Sequence, residues 1–359
     1  MKKTAALLVL LTLPVFADTW DKNNDPRIFD DNYEYRLSAL PLKSILPKDK
    51  TPWSSSFWPR KKGSINYRWN SAHPNGFKLN SPSRLTLQRM SSQQIAELSP
   101  AEKFDLAQGH YNYPLSSRVA ANATKKAKDY EGVCDGWTAS AIQFSEPAPV
   151  EIRNPDGIMI PFGTSDVKAL MSYDVSINAE RGSLGPVFIG GYCSAPLGMS
   201  MGLGNCKDIN AGAFHVVLAN QIGLKKQSFA ADVDPGKETW NQPVYGYEFN
   251  IVEETRADGA ARAYVVHAKF MYAEDDVEGN ENPLMKVFTW LPTVGTPAYA
   301  ATTMELDYVI ELDYSGRIIG GSWLGASKRN HPDLFWMPTN KIQWTPEFSI
   351  LNQIYKASF

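Results

Sequence analysis

Cysteine and histidine are both scarce here, with three Cys and five His in 359 residues. No His-Glu-x-x-His, no paired Cys-x-x-Cys and no Gly-x-x-x-x-Gly-Lys occurs, so no motif points to a bound metal or nucleotide. An excess of either charge is also missing: 36 Lys and Arg stand against 38 Asp and Glu, a net charge of −2. A near-neutral chain has no basic face with which to displace counterions, so no nucleic-acid partner is expected. Arg60-Lys61-Lys62 and Lys125-Lys126-Ala-Lys128 read as solvated surface. The one long uncharged apolar run, Thr4 to Phe16, is too short to span a bilayer.

That run does have the form of an export leader. Lys2 and Lys3 supply positive charge before it, and Val15-Phe16-Ala17 offers small residues for cleavage. Residues 1–17 are therefore expected to be a signal peptide, with the mature chain exported, secreted or periplasmic, and without a transmembrane segment. At 43% hydrophobic and 12% aromatic residues, the remainder can bury a core without depending on disulfides.

Three cysteines in an exported chain leave one thiol unpaired. Cys193 and Cys206 flank a Gly-, Ser- and Met-rich loop with no periodic apolar face, and closing it would stabilise by about 3 kcal/mol in the chain-entropy model. That pairing leaves Cys134 free. Asp135 and Gly136 break the chain before the small-residue helical pattern Trp137 to Phe144, which places the thiol at a helix amino terminus. Partial positive charge there is expected to favour the thiolate. The plain alternative for such a cysteine is an inert, buried small hydrophobe.

Residues 18–95 are rich in turn formers and aromatics, among them Trp53, Trp58 and Trp69, and read as an irregular region whose rings anchor it to the main body. Ser99-Pro100-Ala-Glu102 has the form of a capping box with Pro at the first helical position, so a short helix to Gln108 follows. Asn154-Pro-Asp-Gly157 between Val150–Arg153 and Ile158–Phe162 predicts a hairpin, and a helix is expected from Thr164 or Ser165 to about Tyr173. Asn210 to Ile222 reads as a helix closed at Gly223 by a left-handed residue, followed by a strand through Phe229-Ala-Ala-Asp232. Beyond Tyr247, strands are expected at 249–252, 263–270, 285–291, 304–312 and 317–323, with tight turns at Asp258-Gly259 and Ser315-Gly316. The division implied is an irregular region 18–95, a core 96–247 and an antiparallel β region 248–359.

Cys134, His215 and Asp232 follow one another in the order of a thiol nucleophile, its base and the group that orients the base. The other histidines fit structural roles: His73 and His331 precede Pro, His110 follows a helix-ending Gly, and His267 lies in an apolar strand. Asp234 and Asn241 compete with Asp232 for the third role. An oxyanion would be held by the Cys134 N–H and by a side chain near Tyr130 or Trp137, since the papain-like glutamine six residues upstream is replaced by Lys128. Glu274-Asp-Asp-Val-Glu278 could chelate calcium but reads as a solvated hairpin tip, and Asn122-Ala-Thr124 as a chance sequon.

Several segments, in order, resemble the transglutaminase elicitor family of oomycete cell-wall transglutaminases and exported bacterial proteins. They are Leu98-Ser-Pro-Ala-Glu-Lys-Phe-Asp105, Gly132-Val-Cys-Asp-Gly-Trp-Thr-Ala139, Cys206-Lys-Asp-Ile-Asn-Ala-Gly-Ala-Phe-His215, Ala231-Asp-Val-Asp234, Trp240-Asn-Gln-Pro-Val244, Ile310 to Trp323 and His331-Pro-Asp-Leu-Phe-Trp336. The resemblance implies an α+β fold with a papain/transglutaminase-like cysteine acyltransferase core. It implies a protein-glutamine γ-glutamyltransferase, with Cys134 as nucleophile, His215 as base and Asp232 as orienter, acting on proteins with accessible glutamine and lysine; from the missing motifs no cofactor or metal is expected. A cysteine peptidase or glutamine deamidase on the same triad, and a non-catalytic binding or adhesion module, remain the alternatives.

Overall fold

The computed structural model describes residues 20–180, 184–191, 208–236, 238–257, 259–275 and 284–359. The expected leader, the Cys193–Cys206 pairing and residues 276–278 of the acidic run lie outside these residues.

Eight α-helices are described: α1 (Arg84–Leu87), α2 (Ser92–Ala96), α3 (Pro100–Ala107), α4 (Pro114–Asn122), α5 (Cys134–Gln143), α6 (Thr164–Glu180), α7 (Ala211–Leu218) and α8 (Leu351–Ala357). The strands are β1 (Lys43–Ile45), β2 (Val150–Arg153), β3 (Met159–Phe162), β4 (Pro186–Gly190), β5 (Ala230–Asp232), β6 (Asn241–Thr255), β7 (Arg262–Ala273), β8 (Ala301–Leu312), β9 (Ile318–Trp323) and β10 (Leu334–Pro338). One sheet runs β4-β10-β5-β6-β7-β8-β9, with β1 added against β6, and β2 and β3 form a separate hairpin. Every pairing is antiparallel. The fold is thus mixed α and antiparallel β.

Local chemistry sets several of these boundaries. Ser99 Oγ accepts the N–H of Glu102 at 3.2 Å while Glu102 Oε2 accepts the N–H of Ser99 at 2.9 Å, so the capping box starts α3 as read. In the β2–β3 turn, Asn154 Oδ1 accepts the N–H groups of Asp156 and Ile158, and Gly157 takes φ +81°, which a side chain would strain. Helix α6 runs past Tyr173 to Glu180 because no breaker interrupts it.

Two elements differ from the sequence reading. Helix α7 does not stop at Gly223: it continues as a π-type turn over Ala219–Lys225, and the left-handed residue is Lys226 (φ 55°). Gly223 is small for another reason, since a Cβ there would lie 2.5 Å from Tyr247 Oη and 2.7 Å from Pro41. The strand expected at 285–291 is absent, and turns and bends occupy 284–291. Its backbone serves α6 instead: the carbonyls of Trp290 and Thr289 accept the N–H groups of Thr164 and Ser165, and Ser165 Oγ accepts the Thr289 N–H. Those are the helix-start donors that no intrahelical carbonyl can reach.

The amino-terminal region is built into this body. Trp53 and Trp58 are fully buried, and β1 is hydrogen-bonded to β6. Two buried ion pairs, Lys103 with Asp166 and Lys168 with Glu146 (each 2.6 Å), tie helices α3 and α6 to their surroundings.

Strand alternation decides what lies on each face of the sheet. Ala231 and Phe335 pack with α7 in one apolar cluster, beside Phe214, Phe270 and Tyr308. Their neighbours Ala230, Leu334 and Trp336 pack with Ala139 of α5 in another. Helices α5 and α7 therefore lie on opposite faces.

Candidate active site

Cys134 is the first residue of α5, as expected, and is unbridged. Its helix packs against α6 closely enough that a Cβ on Gly136 would meet the Ser172 carbonyl at 2.0 Å. The preceding loop is fixed by Val133 N–H donating to the Phe57 carbonyl at 2.8 Å. The thiol opens onto a cleft of about 900 Å³ whose walls include Arg60, Tyr130, Glu131, Tyr173, Asn241 and Glu347. Arg60 pairs with Glu131 and Arg118 with Glu347 along its rim.

Sγ lies 3.9 Å from the Thr239 carbonyl and 3.7 Å from Asn241 Nδ2. The orientation of the Asn241 amide is set by Trp336, whose Nε1–H donates to Asn241 Oδ1 at 2.7 Å, leaving the NH2 to face the sulfur. Thr138 of α5 donates to the Asn241 carbonyl at 2.8 Å, which ties the thiol's helix to the start of β6. Asn241 is in turn the cross-strand partner of Asp232, so these side chains share the α5 face.

Asp232 is fully buried. One carboxylate oxygen accepts the N–H of Trp240 at 2.8 Å and that of Asp234 at 3.4 Å; the other has no hydrogen-bond partner among the described residues. Burial, assisted by the Asp234 charge, pushes its pKa up to about 6. Asp234 itself caps the Gly236 N–H, the turn role read for it.

His215 is elsewhere. It stands on α7 with no exposed surface, its Nδ1 3.0 Å from Tyr308 Oη and its ring stacked on Phe249 with 4.0 Å between centroids. Burial pushes its pKa down to about 3, so the ring is neutral. The structure brings Cys134 and Asn241 together, sets Asp232 beside Asn241 as its strand partner and leaves His215 behind the sheet, and no histidine lines the cleft. Chain order cannot show on which face of a sheet a residue falls.

Two further expectations change. The thiol is pushed up to about 12, first by loss of solvent and then by the Asp135 and Asp275 charges, against weaker lowering by Asn241 hydrogen bonds. The helix terminus does not make a resting thiolate. Trp137 cannot serve an oxyanion, because its Nε1–H is buried and donates to the Trp53 carbonyl at 3.0 Å. Tyr130 does line the cleft. Asn241, weighed in the sequence only as a rival orienter, is the amide donor beside the sulfur. Its 107-residue separation from Cys134 carries no local signal. Among the described residues no group of three or more His, Cys, Asp or Glu is arranged to hold a metal ion.

The structure is thus a mixed α and antiparallel β fold with a free cysteine at a helix start, open to a cleft and faced by a fixed amide. The chain belongs to the transglutaminase elicitor family, whose model matches residues 26–350. Its structure is similar to the crystal structure of the GP42 transglutaminase from Phytophthora sojae, with a TM-score of 0.68 and 21% identity over 94% of this chain and 97% of that one. At that identity the likeness is one of fold. No curated protein matches the chain.

Proposed function

We propose that this protein is an exported cysteine acyltransferase that joins protein glutamine side chains to lysine amines through a Cys134 thioester. The observation that carries the reading is the unbridged Cys134 at the start of α5, facing the cleft with an oriented Asn241 amide 3.7 Å away. Family membership and the fold shared with a transglutaminase support it, and the thiol-bearing helix laid on an antiparallel sheet supports the papain-like core.

In this reading the sulfur attacks the glutamine carboxamide carbon, and the oxyanion is held by the Cys134 N–H and Asn241 Nδ2. With His215 on the far face, the thiol proton passes to Asp232. Between a thiol at about 12 and a carboxyl at about 6, isolated proton transfer costs about 8 kcal/mol at 1.36 kcal/mol per unit. Transfer is therefore coupled to carbon–sulfur bond formation and does not precede it. The same proton then leaves with nitrogen as ammonia. An amine attacks the thioester, gives up a proton to Asp232, and the thiol is restored as the isopeptide forms.

The test is incubation with a glutamine-containing peptide and a labelled primary amine. Label incorporation together with ammonia release, both lost in Cys134→Ala, supports transfer. Ammonia without label identifies a glutamine deamidase, peptide fragments a peptidase, and biological activity that survives Cys134→Ala a binding module.

A further inference from the structure

Among the described residues, the charged side chains lining the thiol's cleft are Arg60, Arg118, Glu131, Asp135 and Glu347. Four of them form two ion pairs, Arg60 with Glu131 at 2.5 Å and Arg118 with Glu347 at 2.7 Å. Arg60 also donates from Nε and Nη2 to the Asn122 carbonyl, so its guanidinium is held at the rim. Asp135 is left without a cation. Its partners are neutral: Ser176 Oγ of α6 donates to Oδ1 at 3.0 Å, and the Gly136 N–H donates to the same carboxylate.

That carboxylate stands beside the sulfur. Asp135 follows Cys134 at the start of α5, and both are half-buried and open onto the one cleft. Of the charges that act on the thiol, the charge of Asp135 acts most strongly. A carboxylate accepts about four hydrogen bonds, so it retains capacity for the N–H groups of a ligand. Short of water and without a counter-ion, it attracts a cation. Val119, Tyr173 and Ile177 line the same cleft and suit a hydrocarbon chain. We propose that Asp135 recognises the acyl acceptor, holding the primary ammonium of a lysine side chain beside the thioester and taking one proton from it. The inference rests on the acyl-transfer reading above and adds the residue that selects the second substrate.

An ammonium cannot attack a carbonyl carbon until it has lost a proton. Passing that proton from nitrogen to the Asp135 carboxylate turns an ion pair into two neutral groups, a change that partial burial favours. Burial already raises the Asp135 carboxyl from its ordinary range. The freed nitrogen pair then bonds to the thioester carbon and the carbon–sulfur bond breaks. The second nitrogen proton travels through Asp232 to the sulfur, and Asp135 returns the first to solvent.

The test compares cationic with neutral reagents in the native protein and in Asp135→Asn, which keeps the shape of the side chain and the acceptor for Ser176. With a glutamine peptide as donor, kcat/KM is measured for 1,5-diaminopentane and for hydroxylamine, which is uncharged at about pH 8. The ratio of the first to the second is expected to fall about tenfold, the loss of one charge-assisted hydrogen bond. An unchanged ratio overturns the proposal. A second comparison needs no acyl transfer: the rate of Cys134 alkylation by 2-bromoethylammonium, a cation, against that by neutral iodoacetamide. Removing the Asp135 charge eases ionisation of the thiol for both reagents, so only their ratio reports cation recognition, and it too is expected to fall about tenfold. If the native protein releases no ammonia, this ratio decides: its fall keeps the cation site and removes acyl transfer, and its constancy removes both. Ammonia release and amine incorporation with an unchanged first ratio keep acyl transfer and remove the role of Asp135. Ser176→Ala, which leaves the charge but frees the carboxylate to turn, is expected to lower both ratios by less than Asp135→Asn does. Equal thermal midpoints of the variants exclude unfolding as the cause.

Discussion

At Cys134 two opposing influences meet, a helix start that favours negative charge and a half-buried, acidic setting that resists it. The second wins, and the thiol sits at about 12. Iodoacetamide is therefore expected to alkylate Cys134 at pH 8 about a thousandfold more slowly than an ordinary cysteine of pKa near 8.5, as followed by mass spectrometry over time. A rate equal to that of free cysteine would contradict the coupled mechanism. Asp232 yields a second expectation. The proposed mechanism gives it the thiol proton and so needs it ionised; with its carboxyl raised to about 6, kcat/KM should fall as pH drops through that value. Asp232→Asn should remove that limb and lower kcat/KM at least about a hundredfold. Cysteine count and the breaker residues after Cys134 made the thiol and its helix position legible in the sequence. The partner beside it was not legible, because Asn241 reaches the sulfur through strand pairing and a tryptophan that orients its amide.

Among elements, the contact between α5 and α6 is the tightest constraint near the thiol. Gly136→Ala would set a methyl group against the Ser172 carbonyl and should destabilise by about 2–3 kcal/mol, read from urea unfolding, with loss of ammonia release. Gly157→Ala, at a turn with open space around it, meets only the strain of its φ, so a loss of about 1 kcal/mol without change in activity is expected. Elements with their own local signal were legible: the Ser99 capping box, the Asn154–Gly157 turn and the strands beyond Tyr247 at 263–270, 304–312 and 317–323, whereas β6 was read only at 249–252. The segment 285–291 was misread because its alternating apolar residues, Phe288 and Trp290 among them, pack on Trp58 and Trp69 while its backbone caps another helix. Periodicity reports burial, and it does not report where the main-chain hydrogen bonds go.

For the molecule as a whole, the sheet is a partition. Its α5 side collects the thiol, the amide and Asp232; its α7 side keeps a neutral histidine among aromatic rings. Carboxyls gather at one end of this partition, where burial and the charges of Asp208, Asp232 and Asp234 push Asp333 up to about 8. A carboxyl raised in the folded state holds its proton where the unfolded chain has released it. Stability is full below about pH 4 and declines as pH rises through 8. Thermal midpoints measured between pH 4 and 8 should therefore decline, and Asp333→Asn should flatten the decline; a flat native profile would show the Asp333 carboxyl to be solvated.

The residues that carry the family likeness around Ala211-Gly-Ala213 and Gly320-Gly321 have a plain use in this architecture. Helix α7 lies so close to β9 that a Cβ on Gly212 would come within 2.2 Å of the Gly320 carbonyl, while Asn210 Nδ2–H donates to the Gly321 carbonyl and Trp323 Nε1–H to that of Ile209. That stretch of the sequence is a seam between a helix and a strand. Nothing in that seam touches the sulfur, so replacing Cys134 should leave the helix seated on its strand and the fold intact.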